Sequence, residues 1–178
     1  MKKMFTMIAA MLLICSMVSA KKAPLMVTTG DICSLLKTNA AMVVEFDYSH
    51  AMWEQEETYK EFCGDTYEER LENSVTAFVG AFNKESNALK ATASGDAAYK
   101  MVVMVDNLER KQGMSMWGRM YIRIIGTINV YDTATNQLIL TVDVKNHAGG
   151  EDFAPSDRLN KCFDSLAVEF VGLGKKCK

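Results

Sequence analysis

Residues 116–132 read MWGRMYIRIIGTINVYD and residues 138–147 read LILTVDVKNH. These two runs decide the fold. In the first, Met120, Ile122, Ile124, Ile128 and Val130 share one side of a two-residue period, with Arg119, Tyr121, Arg123, Thr127, Asn129 and Tyr131 on the other. The second repeats the pattern, setting Leu138, Leu140, Val142 and Val144 against Thr141, Asp143 and Lys145, with Ile139 the one apolar residue on the polar side. Both are half-buried strands with a common core face. Between them Asp132-Thr133-Ala134-Thr135-Asn136-Gln137 carries turn chemistry, because Asn136 tolerates the left-handed backbone that closes a three-residue hairpin loop with a bulge. That register pairs Val130 with Leu140 and Ile128 with Val142. On the other face it sets Ile125 beside Lys145, Thr127 beside Asp143 and Tyr131 beside Ile139. The preceding strand, 98–110, contains Met101-Val102-Val103-Met104-Val105, apolar on both faces, which predicts a central position in the sheet.

Two amphipathic helices flank this core. Asp65-Thr66-Tyr67-Glu68 has capping-box spacing, and Leu71, Val75, Phe78, Val79 and Phe82 form one apolar stripe behind it. Pro155-Ser156-Asp157 opens the second, in which Leu159, Phe163, Leu166, Phe170 and Leu173 recur at helical spacing before Gly172 and Gly174. Each helix has a single stripe, and the hairpin strands offer a single strongly apolar face. The sequence therefore predicts an α+β two-layer sandwich: a mostly antiparallel sheet with both long helices on one face. Residues 42–48 read as the first strand, with Met42, Val44, Phe46 and Tyr48 inward. Residues 49–62 read as an acidic and aromatic surface connection, partly helical. Thr28-Thr29-Gly30-Asp31 reads as a turn or cap before a short helix at 32–36.

The chain begins with a basic Met1-Lys2-Lys3, an apolar run from 4 to 18, and a small-residue Val18-Ser19-Ala20. This is the pattern of a cleaved signal peptide, with Lys21 as the expected new terminus and 21–178 as one domain. Ile14 before Cys15 does not suit a lipoprotein signal, and no later run approaches the ~20 apolar residues of a spanning helix. Loss of residues 1–20 removes two lysines and no acids, leaving 18 basic against 22 acidic residues, a formal charge of −4. Nucleic acid is a poor partner for such a surface. Cys33, Cys63, Cys162 and Cys177 would remain, which permits two disulfides in any of three pairings. Cys162 with Cys177 is the poorest, since fifteen residues of helix span about 22 Å. Without a C-x-x-C pair, a four-cysteine metal site is also disfavoured.

Residues 97–103 (AAYKMVV) and 126–136 (GTINVYDTATN), followed by a terminal helix, resemble small exported domains of unknown function from Gram-negative bacteria. They are distantly similar to the TolB amino-terminal and curli-secretion lipoprotein type of α+β domain, over about residues 42–173. The resemblance implies a two-layer fold and a non-enzymatic role in the envelope. It carries no catalytic signature.

Candidate chemistry is sparse. His50 and His147 are the two histidines, and a hydrolase would have to join His147 to Asp143 or Asp152, near Gly149-Gly150-Glu151-Asp152, and to a serine. No G-x-S-x-G elbow supplies the nucleophile, and the bland reading of His147 is a solvated or cross-strand histidine. Glu45 and Asp47 lie on one strand face as ordinary solvated carboxylates, and the Gly-Gly-Glu-Asp loop has too few spaced oxygens for calcium. No cofactor is implied. The stronger signal is the apolar loop with Met114, Met116 and Trp117, next to a sheet face bearing Tyr121, Arg123 and Tyr131. Tyr, Trp and Arg are the side chains enriched at binding hot spots. The sequence thus points to an exported binding or assembly accessory module, contacting an envelope protein or a membrane surface through these six residues, with the His147 hydrolase as the alternative.

Overall fold

The computed structural model describes residues 23–112, 120–149, 155–175 and 177. The leader, Met114, Met116, Trp117 and the acidic segment after Gly149 lie outside the described residues. The elements run β1 (Leu25–Gly30), α1 (Ile32–Leu36), β2 (Ala41–Asp47), β3 (Met52–Trp53), β4 (Glu57–Thr58), α2 (Tyr59–Cys63), a 3-10 turn (Gly64–Thr66), α3 (Tyr67–Glu85), β5 (Lys90–Thr92), β6 (Tyr99–Gln112), β7 (Met120–Asp132), β8 (Gln137–Gly149) and α4 (Pro155–Gly174). The sheet order is β1-β8-β7-β6-β2-β5, and the β3–β4 hairpin joins β6 past the end of β2. β6 is central, as its double-sided apolar run predicts. Pairing is antiparallel except where β2 lies between β5 and β6 and where β3 meets β6.

The α+β sandwich is the observed architecture. Val103, Ile124, Ile128, Val130, Leu140 and Val142 are buried beneath the helices. Phe78 and Phe82 of α3 and Phe163 and Phe170 of α4 fill the layer between. Phe163 meets Phe46 edge-on at 4.9 Å, and Phe82 lies 6.2 Å from Phe170, so the two helices pack against each other as well as on one sheet face.

Several local readings are corrected. The sheet starts with β1, not with β2: Leu25–Gly30 pairs along β8, and its mixed polarity belongs to an edge strand. Asp31 does cap the short helix, accepting from Cys33 N at 2.9 Å and Ser34 N at 3.2 Å. The working capping box is Thr58–Glu61 at α2, whereas the residues around Asp65 form the 3-10 turn and α3 starts without a side-chain cap. Residues 49–62 are partly helical, as expected, but are more than a surface connection: Ala51, Trp53 and Tyr59 are buried. Four acidic residues made that segment look solvated, but the rings between them point inward. One disulfide, Cys33–Cys177, ties α1 to the chain after α4, and Cys63 and Cys162 are buried free thiols.

Register holds at the middle of the hairpin and shifts at both ends. Val130 pairs with Leu140, Ile128 with Val142 and Thr127 with Asp143, and Asn136 has φ of 55° in a loop of four residues. Asp132 holds that loop, accepting from the amide and hydroxyl of Thr135, each at 2.9 Å. Tyr131, however, faces Leu138 and not Ile139, and Ile125 loses its expected partner Lys145, because the ladder is irregular between Val130 and Tyr131 and between Ile124 and Gly126. The second irregularity has consequences. Lys145 and Asn146 are both exposed, so alternation restarts one residue late and turns His147 inward, opposite Ile124.

Candidate functional site

The sheet face away from the helices carries the described half of the predicted partner surface. Tyr121, Arg123, Ile125 and Tyr131 are all half-buried there, whereas Ile139 packs against the core, and every described helix packs on the other side. Acids and bases are interleaved along it, with Lys100 on Glu45 at 2.7 Å and Lys145 on Asp143 at 3.5 Å. Thr141 donates to Asn129 Oδ1 at 3.1 Å across the β7–β8 ladder. The face is rigid, ladder-bonded on both sides, and mixes aromatic, aliphatic and charged groups.

Arg123 is not an unengaged hot spot. A bulge between Val105 and Asn107 places Asn107 and Glu109 on this face, opposite Ile125 and Arg123. Glu109 exposes 7 % of its surface and gathers four neighbours: Lys111 Nζ at 2.9 Å, Arg123 Nη1 at 3.4 Å, Gln55 Nε2 at 2.9 Å and Asn107 Nδ2 at 2.8 Å. The Lys111 contact above all holds the Glu109 carboxyl below its ordinary range, with Gln55 and Arg123 adding to it against the opposing effect of burial. Arg123 thus helps fix one corner of the face. Tyr121 and Tyr131 are its half-exposed aromatics.

Of the hydrolase alternative, the described residues do not bring Asp143 to His147, and Asp152 lies outside them. His147 is fully buried against α4, so it is not solvated, and across the ladder it stands opposite Ile124. Its Nδ1 lies 3.0 Å from Glu169 Oε2 and its Nε2 lies 3.2 Å from the Cys162 carbonyl. Asp143 points to the open face, opposite Thr127 and away from the imidazole. The nearby Cys162 thiol donates to the Ile122 carbonyl at 3.3 Å, and burial pushes its pKa up to about 12, so it is held as a thiol and not as the nucleophilic thiolate. No group of three His, Cys, Asp or Glu side chains suited to a metal occurs among the described residues.

On the helix side, the β3–β4 hairpin builds a cleft that the sequence did not announce. Trp53 and Phe62 stack at 3.9 Å with a 12° interplanar angle. Arg110 and Arg70 lie over the outer faces of that pair, 5.5 Å from the Trp53 centroid and 5.7 Å from the Phe62 centroid. Ile122, Leu159 and Arg158 complete the wall. The contributors are spread from residue 53 to residue 159, and no local motif links them. Their one visible signal was the aromatic spacing of Trp53 and Phe62.

No family model matches the chain, and no curated protein matches it. Among solved structures, the PelC dodecamer from Paraburkholderia phytofirmans in space group P6 aligns with 82 % of this chain and 98 % of its own, at 11 % identity and a TM-score of 0.46. A variant of that dodecamer in space group C2 aligns with 81 % of this chain and 94 % of its own, at 12 % identity and a TM-score of 0.44. Likeness at this level supports no functional statement about the present chain.

Proposed function

We propose that this protein is an exported, non-catalytic binding or assembly module of the bacterial envelope, and that it holds a partner protein on its open sheet face. The observation that carries this reading is the contrast between a helix-covered face and one that no described helix covers, bearing Tyr121, Tyr131 and Ile125. A face meant only for water would carry Thr, Lys and Glu throughout. Amphipathic aromatics on a rigid frame provide contact area with little conformational entropy to lose. Interleaved Glu45, Asp143 and Glu109 make the face a poor match for an anionic lipid surface and a better one for a protein with its own mixed charges. Export is supported by the basic-then-apolar leader and by a disulfide, which persists in oxidising compartments. Among the described residues, no helix is long and apolar enough to cross a membrane.

The test is a crosslinker scan in the producing cell. A photoreactive side chain at Thr127 or Tyr131 should give one discrete protein adduct, and the same group at Glu72 or Thr76, exposed on α3, should give none. An absence of adducts on the open face, or equal adducts on both sides, would remove the proposal.

A further inference from the structure

The turn of the β3–β4 hairpin runs against the preferences of its own residues. Glu56 N–H closes it on the Trp53 carbonyl at 3.0 Å, and both central residues are left-handed, Glu54 with φ of 55° and Gln55 with φ of 64°. Turns of that shape favour Asn-Gly, and any side chain with a Cβ is strained in such a backbone. The conformation persists only where the surroundings hold it. Here the two strained residues are themselves the ties. Glu54 reaches the helix-side face of β6 and grips Arg110, Oε1 accepting from Nε at 2.6 Å and Oε2 from Nη2 at 3.0 Å. Gln55 reaches the opposite face, its Nε2 donating to Glu109 Oε1 at 2.9 Å. The Glu54 amide donates to the Leu108 carbonyl at 2.8 Å between them. Arg110, so held, lies 5.5 Å over the Trp53 ring, while Phe62 stacks on the other face of that ring.

We propose that this hairpin is an acid-released clasp, a strained turn held closed over Trp53 by two side-chain ties that each depend on an ionised glutamate. A guanidinium has donors only, so a protonated Glu54 presents an O–H that Arg110 cannot accept, and one prong is lost. Glu109 is surrounded by donors from Lys111, Arg123, Gln55 and Asn107, so a proton there must displace one of them. The charged groups facing the clasp are Arg110 and Lys111 of β6, Arg123 of β7 and Glu56 in the turn. Bonding to Arg110 holds the Glu54 carboxyl below its ordinary range, as Lys111 above all does for Glu109. Both ties are therefore complete above the ordinary glutamate value of about 4.3 and are lost as pH falls through the lower folded values. Once they go, the strain of the turn favours opening, Arg110 is freed, and the Trp53–Phe62 stack is uncovered. The clasp does not depend on the partner proposed for the open face.

Amide hydrogen exchange in the leader-free chain tests this through Glu54, whose N–H docks the turn on β6, with Ile128 and Val130 of β7 reporting on the sheet. Corrected for the chemical rate at each pH, protection at Glu54 should fall about tenfold or more between neutral pH and about pH 3, the loss expected when a hydrogen bond to a charged group goes. Ile128 and Val130 should keep theirs. Glu54→Gln should show most of that fall already at neutral pH and a smaller further step in acid. Glu54→Asn with Gln55→Gly removes both ties but suits the left-handed turn, so the amide at position 54 should stay protected throughout. No fall at Glu54 in acid, an equal fall in the sheet, an acid step in Glu54→Gln as large as in the wild type, or any loss of protection in the double variant would overturn the proposal.

Discussion

The two faces of the sheet are built from the same strands, residue by residue in alternation, yet they differ in kind. On the helix side Met42, Ile128, Val130 and Val142 expose nothing, and four phenylalanines from α3 and α4 lock over them. On the other side Ile125, Thr127, Asn129 and Tyr131 are all half-exposed. Burial on the first face is completed within the chain. On the second no described helix completes it, and the difference should appear in how each face responds to change.

The largest response belongs to the covered face. Phe163→Ala removes a fully buried ring that contacts Phe46, and should destabilise the fold by about 3–5 kcal/mol in denaturant melts. Next comes the disulfide. Cys33→Ser with Cys177→Ser releases a link between residues 144 positions apart and should lower stability by about 2–4 kcal/mol, with reduction of the wild-type chain giving the same shift. Gly126→Ala probes the seam between the faces, since a Cβ there would sit 2.1 Å from the Met104 carbonyl oxygen. Relieving that clash by displacing β6 from β7 should cost about 1–3 kcal/mol.

The open face should respond to pH more than to truncation. The Glu109 carboxyl is held below its ordinary range, so its contribution is fully present above the unfolded glutamate value of about 4.3 and is lost as pH falls through the lower folded value. Glu109→Gln should flatten that part of the acid melting profile. An unchanged profile would mean that the cluster with Lys111 and Arg123 does not contribute. The smallest effect is expected for Tyr121→Ser with Tyr131→Ser, about 1 kcal/mol or less each, because neither ring is in the core. Unfolding of that pair would make them core residues.

How far the sequence disclosed this arrangement follows from where its regularities break. Alternation in 120–130 and 140–144 placed the core face, and the turn at Asn136 and the central β6 were also read correctly, but Leu138, read as a core residue, is 47 % exposed and pairs with Tyr131 on the open face because of the irregularity next to it. Alternation failed at the irregularities after Val105, Ile124 and Val130, where one extra residue inverts every side chain beyond it. His147 is the clearest case, carried from the expected surface into full burial. The acidic stretch 54–61 misled for another reason. Charge outweighed aromatic content in the reading, while in the fold the carboxylates cap and pair at the rim and Trp53 and Tyr59 go inward. The arginine cleft was illegible because four distant segments build it. Tyr121 and Tyr131 could be read as facing away from the core, but the pairing of Arg123 with Glu109 could not, since it depends on a bulge in another strand.

The most direct measurement of the contrast between the faces is oxidative footprinting of the protein in its native envelope and as a purified chain. Tyr121 and Tyr131 should be modified in the purified protein and protected in the envelope, while exposed Val168 of α4 should react equally in both. Equal modification of the two tyrosines in both settings would show that nothing covers the open face, and would contradict the central claim.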